Sequence, residues 1–325
     1  MMKKTAGILL VCLLCLSFAF PAFAKTLRSA DTHAKDYPTV QAVMHMGNLL
    51  QQWTDGRLKV KVFPGRQLGE EKATIEQTIA GALDLNRVNL APLNSIIPET
   101  AIPALPYIFR STEHMYKVMD GAIGREILDA MVPHGLVGLA FYDSGARSFY
   151  NSKRPILSPA DMKGMKIRVQ NSDLFVATME ALGANATPME FGQVYEALKT
   201  GVIDGAENNW PSYESTRHFE VAKYYSLDQH SMSPEALVMS KISWDKLSKE
   251  DQELVRKAAV ESVQVMRDLW NKRVAKSKEI VMAAGNEVVA EVDKQPFIDA
   301  MGPVYARFAN TPELKDLVKR IQAVK

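Results

Sequence analysis

Met165-Lys-Ile-Arg-Val169, Leu182-Gly-Ala-Asn-Ala-Thr-Pro-Met189 and Val194-Tyr-Glu-Ala-Leu-Lys-Thr-Gly-Val-Ile-Asp-Gly-Ala-Glu-Asn208 follow one another within a single stretch that closes at Pro211. The first reads as a short apolar strand ending on an arginine. The region 172–182 reads as a helix, Ala186–Pro188 as a strand, 193–200 as a helix and 206–208 as a strand. Short apolar runs that alternate with amphipathic stretches are the pattern of an α/β chain. Upstream, Gly138-Leu-Ala-Phe-Tyr142 precedes Arg147 in the same way that Met165-Lys-Ile precedes Arg168. Each arginine therefore falls at a strand end, where a guanidinium can point into a crevice. Its planar fork stays charged at any working pH and fits a carboxylate with two parallel hydrogen bonds. Two such residues, Arg147 and Arg168, suggest an anion clamp, although an arginine taken singly is more often solvated or structural.

The same segments, with Ser158-Pro-Ala-Asp-Met-Lys-Gly164 leading into them, strongly resemble the extracytoplasmic solute receptors of tripartite ATP-independent periplasmic (TRAP) transporters. That resemblance implies a two-domain periplasmic solute-binding fold. Each domain has a central sheet flanked by helices, a cleft lies between them, and a long helix spans both. It also implies that Arg168 pairs with the substrate carboxylate, helped by Arg147 and Asn208, and that the aromatic Phe191 packs on the ligand. Tyr142-Asp-Ser-Gly-Ala-Arg147 and Ala206-Glu-Asn-Asn-Trp-Pro-Ser-Tyr213 look like the branch associated with hexuronates such as glucuronate and galacturonate. A membrane permease is the implied partner, and the receptor is expected to act as a monomer.

Outward from this centre, the N-terminus has a basic Met1-Met-Lys-Lys4, an apolar run from Ile8 to Phe20 and an Ala22-Phe-Ala24 signal. These describe a secretory leader, residues 1–24, cleaved after Ala24 on the way to the periplasm. A transmembrane anchor would want a longer run uninterrupted by Pro21. Cys12 and Cys15, the chain's 2 cysteines, both lie in the leader. Cleavage would remove them, and with them any disulfide, thiol nucleophile or cysteine-held metal. It would also remove Lys3 and Lys4, taking the formal net charge of +2 to neutrality. A balanced chain without charge runs offers no electrostatic footprint for nucleic acid.

The remaining chain opens β-α-β, with a strand at 26–30, a helix at 39–53 and the alternating strand Leu58-Lys-Val-Lys-Val-Phe63, which makes a right-handed parallel crossover the default. A helix at 71–80, a strand at 83–88, a mostly helical region 113–131 and a strand at 136–142 follow. Ser248-Lys-Glu-Asp251 supplies an N-cap serine with an acid three residues on, and Gly285 a left-handed stop, so one helix is expected over about 248–284. Its apolar positions drift through Leu254, Ala258, Val263, Met266, Leu269 and Val274 without a strict heptad, which argues against a coiled coil. If the helix crosses both domains, residues 25–144 and 232–272 form one and 145–231 with 273–325 the other.

No G-x-S-x-G, G-x-G-x-x-G, P-loop or H-E-x-x-H motif occurs, and the 6 histidines are scattered without ligand spacing. A binding protein without cofactor or metal is therefore favoured over an exported uronate-acting enzyme. Further candidates for the pocket are His33 in the loop after the first strand, Glu71 at a helix start, Arg87 and Asn89 at the end of the third strand, and Asn209 and His230. Open α/β sheets bind ligands beyond the carboxyl ends of their strands. Several of these have structural alternatives: Asn208 and Asn209 as turn or cap residues, Glu71 as a partner of its own helix dipole, and Phe191 as core. His33, Glu71, Asn89, Asn208 and Asn209 together suit the hydroxyls of a sugar acid better than a plain C4-dicarboxylate. A sensory receptor would present the same pocket to a different partner.

Overall fold

The computed structural model describes residues 24–325; the leader reading falls on residues that lie almost wholly outside it. In chain order the first half contains β1 (Lys25–Ala30), α1 (Pro38–Trp53), β2 (Leu58–Phe63), α2 (Glu71–Ile79), β3 (Leu85–Asn89), α3 (Thr112–Met119), α4 (Ala122–Asp129) and β4 (Leu136–Tyr142). Next come β5 (Arg147–Asn151), α5 (Pro159–Met162), β6 (Lys166–Val169), α6 (Asp173–Ala181), β7 (Asn185–Pro188), α7 (Val194–Lys199), β8 (Gly205–Asn208), α8 (Trp210–Ser215), α9 (His218–Val221) and β9 (Tyr224–Ser231). The chain ends with β10 (Glu235–Ser240), α10 (Lys241–Trp244), α11 (Lys249–Ala283), β11 (Glu287–Val289), α12 (Gln295–Asp299), α13 (Gly302–Phe308) and α14 (Pro312–Ala323).

The strands form two sheets, one ordered β2-β1-β3-β10-β4 and the other β11-β9-β5-β8-β6-β7. The expected parallel opening is present, since β1 pairs in parallel with both β2 and β3. The pairing of β10 is longer in range: it lies antiparallel between β3 and β4, so the first sheet is completed only after the chain has built most of the second. β4 is buried along its whole length, as a strand covered on both faces must be. Gly138 at its centre lets α4 approach closely: a Cβ there would meet Leu128 Cδ2 at 2.6 Å and Cβ at 2.8 Å.

The long helix α11 has 35 residues and starts where Ser248 accepts the Asp251 backbone N–H at 3.1 Å. Gly285, at φ 73°, follows its end. At 1.5 Å per residue it spans about 52 Å. Its first two-thirds bury Val255, Ala258, Ala259, Met266 and Trp270 in the core beneath the first sheet, and Val281 near its end belongs to a core of the second. A helix with two partners in succession has no use for a heptad seam, which accounts for the drifting apolar positions. A third apolar cluster runs from Leu105 and Met115 through Phe175 to Phe297 and Leu317, behind both sheets. The last helix leans on the first half of the chain: Arg320 forks onto Glu126 at 2.7 and 2.8 Å, and His114 Nε2 lies 2.9 Å from the Ile321 carbonyl. The C-terminal helix thus contacts the first half of the chain directly. No helix among the described residues is long and apolar enough to cross a membrane.

Because Leu128 and the α4 backbone have no room to retreat from Gly138, Gly138→Ala is expected to cost about 1–3 kcal/mol of stability. A lowered urea midpoint, with an unchanged slope, is the result that checks this.

Candidate functional site

The carboxyl ends of strands from both sheets face one another across a narrow pocket. On the second sheet β8 lies between β5 and β6, with Ser148 opposite Asn208 and Arg168 opposite Ala206. That register brings Arg147, Asn208 and Arg168 to one edge. β9 breaks its pairing with β5 near Arg147, where Gln229 adopts a left-handed φ of 53°, and the Asp228 carboxylate takes the Phe149 N–H at 3.1 Å. The break seats His230 beneath the pocket, stacked on Phe149 with ring centroids 4.3 Å apart.

The two arginines are both buried, yet they differ in electrostatic circumstance. Arg147 donates from Nε to Glu207 at 2.5 Å and from Nη2 at 2.8 Å, and its Nη1 reaches the Asn208 Oδ1 at 3.1 Å. Burial alone would raise the Glu207 carboxyl, but Arg147 and His230 overcome it and hold the group at about 2. His230 is pushed up to about 9: burial works against its charge, while Asp228 at 2.8 Å and Glu207 at 3.5 Å sustain it. Arg168 is only 3% exposed. It donates from Nε and Nη2 to the Met189 carbonyl at 2.9 and 2.7 Å and forms no salt bridge among the described residues. Burial lowers its pKa, with the more distant Glu207 only partly restoring it. A buried guanidinium whose remaining donors face a pocket is a site for an anion.

The first sheet presents an acid-rich wall. Arg87 lies behind the pocket rather than in it, paired through two nitrogens with Asp31 and donating to the Thr32 hydroxyl at 2.9 Å. Its Nη1 sits 3.6 Å from Glu71 and 3.3 Å from Glu235. Glu71, the first residue of α2, reaches across to accept the Asn89 backbone N–H at 2.7 Å and side-chain amide at 3.1 Å, so it serves more than its own helix end. His33 stacks on Tyr37 with centroids 3.7 Å apart and meets the edge of Phe191, from the other side, at 5.3 Å. Burial, then the charge of Arg87, keeps His33 well below its usual range and therefore neutral. Tyr37 also joins the two sides, its hydroxyl 2.9 Å from the Ser212 Oγ, and Arg273 of α11 contacts both Asp36 at 3.0 Å and Glu214 at 2.6 Å.

Of the residues singled out from the sequence, His33, Glu71, Asn89, Arg147, Arg168, Phe191, Asn208 and Asn209 line the pocket. Arg87 and His230 do not; they are buried behind it as counter-charges. Asn209 is at once a helix cap, accepting the Ser212 N–H at 2.8 Å through its oxygen, and a lining residue. Four lining residues were missed: Thr32, Gln170, Ser212 and Glu235. Gln170 is two positions beyond Arg168, and with its amide oxygen turned inward it accepts from Arg147 Nη1 at 3.1 Å. Glu235 had no local signal, because only the β3–β10 register sets it opposite Asn89. Among the described residues, no group of three or more His, Cys, Asp or Glu is placed to hold a metal ion.

Comparison with known proteins gives the same picture. Residues 29–311 match the family model DctP, bacterial extracellular solute-binding protein, family 7. A solute-binding protein of Chromohalobacter salexigens is 42% identical over 98% of this chain and 95% of its own. A TRAP periplasmic solute-binding protein from Bradyrhizobium sp. BTAi1, crystallised with α/β-D-galacturonate, is 60% identical over 92% of this chain and 99% of that one, with a TM-score of 0.90. Another from Roseobacter denitrificans, with bound β-D-glucuronate, is 46% identical over 93% of this chain and 100% of that one, also with a TM-score of 0.90. With its two-sheet architecture, its cleft and a match over most of its length, this chain belongs to the DctP family of extracellular solute-binding proteins, the receptors of TRAP transporters.

Proposed function

We propose that this protein captures a hexuronate, D-galacturonate or D-glucuronate, in the periplasm and delivers it to a TRAP permease. The observation that carries the reading is Arg168, a buried cation without a carboxylate partner among the described residues, in the wall of a polar pocket. A uronate carboxylate supplies the missing anion. The hydroxyls then face Glu71, Asn89, Asn208 and Asn209: the internal bonds of Asn208 and Asn209 use their amide oxygens and leave the NH2 donors over, whereas Asn89 gives its NH2 to Glu71 and keeps its amide oxygen as an acceptor. Phe191 and His33 offer rings to the C–H face of a sugar. The bound sugars of the two solved relatives support the same class.

The leader, cleaved after Ala24, exports the chain. Two lobes, residues 25–144 with 232–272 and residues 145–231 with 273–325, close on the ligand, and the last helix straps one to the other. A ligand touching both lobes stabilises the closed form by its differential affinity. Tyr37–Ser212 and Phe191–His33 are contacts that closure would make. The receptor acts as a monomer and performs no chemistry on its ligand. Charge-assisted hydrogen bonds of about 1.5–3 kcal/mol each cover much of the roughly 8 kcal/mol that micromolar binding requires.

In a thermal-shift screen of residues 25–325, galacturonate or glucuronate is expected to raise the melting temperature and succinate to leave it unchanged. A rise with succinate alone would overturn the sugar-acid reading while keeping the carboxylate site. Arg168→Ala should fold normally and bind the hexuronate at least about a hundredfold more weakly. Arg168→Lys should also bind poorly, because a point charge cannot reproduce the fork. Titration calorimetry of the two variants checks this, and near-native affinity in Arg168→Ala would rule out the arginine as the anion site.

A further inference from the structure

Three carboxylates, Asp31, Glu71 and Glu235, converge on the single guanidinium of Arg87. Asp31 takes two of its nitrogens, and Glu71 is satisfied by the two Asn89 donors. Glu235 is left with the least. It is 2% exposed, its Oε1 stands 3.3 Å from Arg87 Nη1, and its Oε2 has no hydrogen-bond partner among the described residues. Nearby, Arg87 Nη1 and Asn89 Oδ1 are also buried without a hydrogen-bond partner among the described residues. Glu235 lines the pocket beside Asn89, its neighbour across the β3–β10 register.

The groups around it are Arg87 and Asn89 of β3, Asp31 after β1, Glu71 of α2, and the charge of Arg147 on β5; Tyr142 is opposite on β4 and Tyr37 lies further off. One cation against three acids leaves this wall with surplus negative charge if all ionise. A uronate is itself an anion and must enter beside it. Carboxylates crowded in a dry site do not all ionise, and the one with fewest donors keeps its proton.

We propose that Glu235 binds the sugar as a neutral carboxylic acid, its O–H donating to a ligand hydroxyl oxygen, so that capture requires this proton. The inference rests on the hexuronate reading above and adds to it a specificity residue and a proton. Burial, with Arg87 opposing and Asp31 and Glu71 assisting, raises the Glu235 carboxyl to about 8. Affinity is therefore full below that value and is lost as pH rises through it. His230 titrates nearby in pH, but it is behind the pocket and unchanged in a Glu235 variant, so comparison of the two proteins separates them.

The test is calorimetric titration of the wild type and Glu235→Gln with D-galacturonate and D-glucuronate from pH 6 to 9.5. The glutamine amide donates at any pH. Wild-type affinity is expected to fall towards about tenfold per pH unit above 8, and the Glu235→Gln affinity to stay within about threefold across the range. At pH 8.5, wild-type binding measured in two buffers of different ionisation enthalpy should show uptake of most of a proton. That measurement stands even if the variant does not fold. Binding without proton uptake, or a folded Glu235→Gln that binds a hundredfold more weakly at pH 6, overturns the role of Glu235 alone. Absence of binding by the wild type to either sugar at every pH overturns the receptor reading, and this proposal with it.

Discussion

Desolvation of charge governs this molecule. Taking a guanidinium or a carboxylate out of water is expensive unless the group finds a partner, and the protein buries many of them within one cleft. Arg147, Glu207, His230 and Asp228 settle among themselves as an alternating chain of cations and anions on the second sheet. Arg87 and Asp31 do the same on the first. What is left unsettled is informative: among the described residues Arg168 lacks an anion, and one acid of the opposing wall lacks a hydrogen-bond donor to its Oε2. The pocket is thus a charge pattern that is incomplete on both sides, with room for an anion beside Arg168 and for a polar partner beside the opposing acid.

Placement of these groups is a matter of strand register. Arg147, Asn208 and Arg168 come from three strands that are adjacent in space, β5, β8 and β6, and a slip of one residue in any of them would turn the side chain to the opposite face. The irregular pairing of β9 has a comparable role, because it turns His230 beneath Glu207 and uses the Asp228 side chain in place of a backbone partner. Buried pairs of this kind contribute little net stability, since desolvation offsets most of the attraction. Their contribution is orientation. A guanidinium held on two sides by Glu207 and Asn208 cannot wander.

Much of this was legible in the amino-acid order, and the reasons differ by element. β2 and β4 have clear signals, alternation in Leu58–Phe63 and a continuous apolar run in Leu136–Tyr142, and their predicted bounds match the observed ones. Local capping chemistry placed the start of α11 at Ser248. β9 and β10 went unrecognised, because Tyr224–Ser231 mixes polar and apolar residues and is broken midway, and Glu235 opens a buried strand with a charge. In the site, residues within the 165–211 stretch were found through their motifs, whereas Glu235 depends on a strand pairing across almost 150 residues of chain. Arg87 and His230 were recognised as important but not as counter-charges, since the difference between touching a ligand and supporting a group that does so is one of depth. Sequence spacing carries no measure of depth.

The helix α11 has a mechanical consequence. Its first two-thirds are packed under the first sheet, its far end belongs to the second, and Arg273 stands near the changeover, pinned to Asp36 on one side and Glu214 on the other. A single unbroken helix shared by two cores is a splint: a turn of one sheet against the other would have to bend or dislodge it, so its stiffness helps to set the spacing of the two rows of strand ends that frame the pocket.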